Sequence, residues 1–108
     1  DALLTLADRG KVGEKYLVGS ENEITNIDLV TQICRILDQQ EPRRNGRGYS
    51  DLIALVSDRP GHDFRYAINP AKIKSELNWN SNIDFRLGLE GTVRWYLENR
   101  SWLLSRQP

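Results

Sequence analysis

The chain is 108 residues long and carries fifteen basic and fifteen acidic side chains. That is the size of one domain, and the charge balance excludes an overall field drawing the chain to nucleic acid or an anionic membrane. Apolar residues make up 39% and charged residues 28%, with no apolar run near the ~20 residues that span a bilayer, so a soluble chain is expected. Cys34 is the single cysteine, which excludes an internal disulfide and a soft-metal cluster; the cytoplasm is the expected compartment.

Residues 1–9 already follow a helical pattern, without the apolar stretch or cleavage site of a signal peptide. The chain has no methionine, and it is expected to be a fragment of a longer protein. Leu3, Leu4, Leu6 and Ala7 recur at helical spacing, and Gly10 suits the left-handed conformation that ends many helices. Lys15 to Val18, closed by Gly19 and Ser20, reads as a short buried strand. Thr25 is placed to cap a helix over roughly Asn26 to Gln39, with Asp28 favouring its positive end. Ile27, Val30, Cys34 and Leu37 share one face of that helix, widened by Ile33 and Ile36. Pro42 marks its boundary.

Arg43 to Gly48, the run RRNGRG, combines charge with glycine, lacks an apolar anchor and reads as a mobile surface loop. Leu52 to Val56 and Phe64 to Ile68 are apolar runs of strand length, and the hexapeptide Asp58 to Asp63, DRPGHD, lies between them. Asn69 before Pro70 pairs a cap with a first helical residue, and a short helix runs through Leu77. In a last helix Phe85, Leu89, Val93 and Tyr96 share a face, Glu90 and Arg94 can pair across a turn, and Trp95 and Trp102 add bulk near the end. The expected fold is therefore α/β (or α+β), with a few short strands and about four helices in one stretch from residue 1 to 108. Its exposed faces are expected to drive association, since missing neighbours leave apolar surface uncovered.

The hexapeptide carries the most chemistry. Arg59 has a planar, permanently charged head that grips phosphate oxygens in forked geometry, and Pro60 and Gly61 can make the turn that aims Arg59 and His62 into one pocket. Asp58 and Asp63 can orient those side chains. The same six residues also read as an ordinary solvated turn. A lone His62, with no second histidine, reads as a hydrogen-bonded loop residue, so no metal is assigned. Asn22 can hydrogen-bond a phosphate or sugar hydroxyl, or simply serve a turn. The arginines of RRNGRG lack interleaved aromatics, and nucleic acid is not an expected partner. No GxGxxG run follows a strand, no lysine stands four residues after Tyr16 or Tyr66, and no serine has a credible histidine and acid partner. Neither cofactor-binding nor catalytic residues are assigned.

Taken together in order, several motifs resemble the C-terminal part of bacterial dTDP-glucose 4,6-dehydratases, within the extended short-chain dehydrogenase/reductase family. They are Gly13-Glu14-Lys15-Tyr16 with Gly19, Asn22-Glu23, Asn26-Ile27-Asp28, DRPGHD with Arg65-Tyr66-Ala67-Ile68, and Lys72-Ile73, Glu76-Leu77 and Trp79. The closing Phe85, Gly88-Leu89, Thr92-Val93 and Trp95-Tyr96-Leu97 complete them, so the resemblance covers nearly the whole chain. Ser20 stands where a second glycine is common, and Asn78 where glycine often precedes the tryptophan.

The resemblance implies a small substrate-binding portion whose Rossmann domain is absent. It implies a parent lyase that converts dTDP-glucose to dTDP-4-keto-6-deoxyglucose and water, for deoxysugar biosynthesis, with NAD transiently reduced and bound by the missing N-terminal domain. Asn22, Asp58, Arg59, Pro60, Gly61 and His62 would then contact the nucleotide sugar, with Arg59 on the diphosphate, and the fragment alone would be inactive. The parent is expected to be a homodimer. The alternatives are a related nucleotide-sugar epimerase or decarboxylase, or a non-enzymatic α/β module that self-associates.

Overall fold

The computed structural model describes residues 1–63 and 65–106. The elements are α1 (Ala2–Arg9), α2 (Asn26–Gln40), a 3-10 turn (Tyr49–Leu52), α3 (Ala71–Leu77), α4 (Phe85–Glu98) and α5 (Arg100–Leu104). They divide between two compact units: the first takes Asp1–Glu23 and residues 60–84, the second Ile24–Arg59 and the stretch from Phe85.

The expected α/β (or α+β) architecture is overturned, because the described residues contain helices and no strand. Lys15 to Val18 and 65–68 are irregular backbone without a ladder, Leu52 belongs to the 3-10 turn, and Ile53 to Val56 run on irregularly as well; Phe64 lies outside the described residues. The composition of these runs is strand-like, but a strand exists only through hydrogen bonds to a neighbour. Without that neighbour their side chains stay in solvent: Leu55 is 88% and Val56 86% exposed.

In the first unit, α1 packs on α3. The core is small and centres on α3, where Ile73 is fully enclosed and Leu77 and Pro70 are buried. Asn69 Oδ1 accepts the Ala71 N–H at 2.9 Å, satisfying one of the orphan donors that open a helix. At the other end Asn78 adopts φ 52°, and its N–H returns to the carbonyls of Ile73 and Lys74. Asparagine tolerates this left-handed geometry better than most side chains, so its replacement of glycine leaves the helix stop intact. Gly10 ends α1 in extended rather than left-handed backbone. Its requirement is space, since a Cβ there would sit 2.5 Å from the Leu6 carbonyl oxygen.

The segment between α1 and the unit's end is tied to α3 by polar side chains. Tyr16 donates to Glu76 Oε2 at 2.9 Å, Lys72 Nζ meets Glu14 at 2.6 Å, and the Lys72 ammonium lies 4.7 Å from the centre of the Tyr16 ring. The Tyr16 hydroxyl holds the Glu76 carboxyl below its usual value, and the Glu14 hydrogen bond holds Lys72 above its own.

In the second unit, α2 packs on α4 and on the 3-10 turn. The Thr25 cap forms as expected: its Oγ1 accepts the Asp28 N–H at 3.1 Å and donates to the Asp28 carboxylate at 2.6 Å. The buried face is narrower than the apolar pattern. Cys34 and Ile36 are buried against a core that includes Val93, whereas Ile27 and Val30 at the N-terminal end of α2 stay exposed. On α4, Arg86 pairs with Glu90 at 2.8 Å. The helix breaks at Asn99, and Trp102 on α5 returns to meet Trp95 edge-on at 5.1 Å.

Candidate functional site

A cavity of about 550 Å³ opens in the first unit, a volume suited to a small molecule. Its wall joins residues 19–23 to residues 66–69 before α3. Gly19 makes that juncture possible, since a Cβ at this position would lie 3.1 Å from the Ile68 side chain. Glu21 takes φ 55°, a conformation rare for a side chain of its size. Such strain persists only where surroundings enforce it and is common at ligand sites. The Glu21 side chain pairs with Lys74 of α3 at 2.6 Å.

Asn22 lies at the cavity wall, its Nδ2 donating to the Ser20 carbonyl and hydroxyl oxygens, each at 3.3 Å. Tyr66, 70% exposed, and Asn69 share the wall. Glu23 is paired with the Arg65 guanidinium and Glu21 with Lys74, so the acidic charge at the rim is neutralised locally. What remains is amide, phenol and hydroxyl chemistry, which suits a hydroxyl-rich ligand. A smaller cavity of about 110 Å³ shares residues 19–21 and is bounded by Trp79. Among the described residues, the Trp79 Nε1 is a buried donor without a partner.

The hexapeptide is split by the division of the chain. Asp58 and Arg59 belong to the second unit, and Pro60, Gly61 and His62 to the first. Pro60 and Gly61 form the expected turn, with Gly61 at φ 73°. Asp58 Oδ1 accepts the backbone N–H of Arg59 at 2.8 Å, and His62 is half-buried. Of the residues singled out for binding, Asn22 alone is among the described lining residues of the larger cavity. Glu21, Tyr66 and Asn69 were not singled out for binding. Asn69 reads as a helix cap; Pro70 takes the cap position instead, while the Asn69 side chain accepts the Ala71 N–H, and nothing in a periodicity shows that residues 21 and 66 line one cavity.

Among the described residues no group of three His, Cys, Asp or Glu side chains is placed to hold a metal ion. The residues present do not fit a dinucleotide either: α2 is entered through Thr25 and α3 through Pro70, without a glycine-rich turn to bring backbone amides onto a pyrophosphate.

Residues 7–92 match the family described as GDP-mannose 4,6 dehydratase. The chain belongs to this family. It is 50% identical over 101 residues to a probable dTDP-glucose 4,6-dehydratase of Sinorhizobium fredii, covering 94% of this chain and 28% of that protein. It is 47% identical over 103 residues to the dTDP-glucose 4,6-dehydratase of Xanthomonas campestris, covering 95% and 29%. The crystal structure of dTDP-glucose 4,6-dehydratase from Bacillus anthracis in complex with NAD superposes with a TM-score of 0.77 at 40% identity, over 94% of this chain and 29% of that one. The resemblance read from the ordered motifs is thus borne out. The chain spans less than a third of the length of these relatives.

Proposed function

We propose that this chain is the substrate-contacting portion of a dTDP-glucose 4,6-dehydratase. Identity of 45–50% to enzymes of that name, sustained over 94–95% of the chain, carries the reading. The parent converts dTDP-glucose to dTDP-4-keto-6-deoxyglucose and water. NAD belongs to the remainder of that parent, because the residues of this chain offer it no cradle. By itself the chain is inactive.

Within the site, Asn22 and its neighbours hydrogen-bond the sugar nucleotide, and the Arg59 guanidinium neutralises its diphosphate through a charge-assisted, forked contact. Asp58 fixes the Arg59 backbone, the Pro60-Gly61 turn sets the course of the chain, and His62 completes the binding segment. The parent works as a homodimer in the cytoplasm, in keeping with the single, buried Cys34. Among the described residues no helix is long and apolar enough to cross a membrane. Leu17, Leu55, Val56 and Leu104 are exposed, and self-association of the isolated chain would take such apolar side chains out of water.

The test is turnover by the full-length parent beside the isolated chain. The parent is expected to dehydrate dTDP-glucose and the isolated chain to yield no product. A parent that leaves dTDP-glucose unchanged and epimerises or decarboxylates another nucleotide sugar would replace this reading.

A further inference from the structure

The loop between α2 and the 3-10 turn holds Asn45 and Gly46, both exposed, and neither the cavity nor the proposed substrate contacts use them. We infer that Asn45-Gly46 is a self-modification site, at which the asparagine side chain cyclises onto the following backbone nitrogen and opens to isoaspartate or aspartate.

Three features of the loop favour that chemistry. The backbone N–H of Arg47 donates to Asn45 Oδ1 at 3.1 Å. This donor withdraws electron density from Cγ and stands where negative charge develops on Oδ1 during attack, the arrangement that lowers acyl-transfer barriers. The nucleophile is the nitrogen of Gly46, whose residue is open on its Cβ side: an added Cβ would meet nothing within 4 Å. Arg43, Arg44 and Arg47 flank the pair, and their positive charge favours the deprotonated amide nitrogen and the carboxylate that follows. One contact opposes the reaction, since the Gly46 N–H donates to the Arg43 carbonyl at 3.1 Å. That bond closes an exposed turn, which opens at little free-energy cost.

The step balances without an oxidant or reductant. The Gly46 amide loses its proton to solvent, the nitrogen bonds to Asn45 Cγ, and the Cγ–Nδ2 bond breaks as ammonia leaves with a proton from water. Water then opens the resulting succinimide at either carbonyl. Opening at the backbone carbonyl routes the chain through the former side chain and adds a methylene to a turn held by the Arg43 guanidinium on the Gly48 carbonyl at 3.0 Å. Either product places a carboxylate among three arginines.

The full-length parent protein, aged at neutral to mildly alkaline pH, tests the inference by isoaspartyl methylation and tandem mass spectrometry. Asn45 is expected to convert at least about tenfold faster than Asn80, which is also exposed but precedes Ser81; tenfold is a barrier difference of about 1.4 kcal/mol. Asn45→Ser should remove the fast-forming isoaspartate, and Gly46→Ala should slow it by hindering the nitrogen. Equal rates at Asn45 and Asn80, or a Gly46→Ala rate matching the parent's, would overturn the assignment.

Discussion

Ile73→Ala tests the core on which the site rests. Ile73 is fully enclosed on α3, and the next residue, Lys74, pairs with Glu21 at the cavity wall. The substitution deletes three carbons, worth about 2.4 kcal/mol of transfer free energy. If the hole stays open at roughly 80 Å³, the cavity contributes about 2 kcal/mol more. The expected loss is therefore about 2.5–4 kcal/mol, or a fall in Tm of about 10–30 °C for a domain of this size. Far-UV circular dichroism melts of the chain read it directly. Leu55→Ala is the matched control: with its side chain in solvent, the same kind of truncation should change stability by no more than ~0.5 kcal/mol. A loss below ~1 kcal/mol for Ile73→Ala, or an equal loss for Leu55→Ala, would refute the assignment of the core to α3.

Thr25→Ala removes the oxygen that accepts the Asp28 N–H and should cost about 1 kcal/mol in denaturant unfolding; Thr25→Ser should restore most of it. Tyr16→Phe should let the Glu76 pKa rise back toward 4.5, as read by NMR titration of the carboxyl. Because the folded state depresses that pKa, its contribution to stability is present above pH 4.5 and is lost as pH falls through the lower, folded value. The Tm gap between Tyr16→Phe and the parent sequence should accordingly narrow in acid. Lys72 runs the opposite way: its pKa is raised above 10.5, so the Glu14 contact stabilises below that pH and fades as pH climbs through the folded value. Glu14→Gln should flatten the alkaline limb of the stability profile.

Local signals in the sequence carried through to the structure. Thr25 caps α2, Asn69 accepts the Ala71 N–H beside the Pro70 cap of α3, and Pro60-Gly61 turns, because each acts on backbone groups one to three residues away. The helices themselves followed from apolar spacing, although Ile27 and Val30 show that a periodic face reports what can be buried and not what is. The three strand expectations failed for a non-local reason. Val, Ile and Tyr in 15–18, 52–56 and 65–68 satisfy strand composition, but a ladder needs a second backbone, which no composition reveals. The site was half legible for the same reason. Asn22 stood out as an amide beside a turn, whereas the cavity it lines depends on residues 19–23 meeting residues 66–69, an encounter set by Gly19 passing close to Ile68.

The ordered motifs survived because they depend on residue identity at fixed spacing rather than on long-range pairing. They pointed to the dehydratases, and the comparisons with the Sinorhizobium, Xanthomonas and Bacillus proteins agree over nearly all of the chain.

Steady-state kinetics of Arg59→Ala in the full-length enzyme with dTDP-glucose bears most directly on the proposed role of this chain. Losing a charge-assisted contact of ~1.5–3 kcal/mol should raise KM about 10- to 150-fold with kcat largely kept, since the contact holds the ground state and the transition state alike. An unchanged KM would contradict the account.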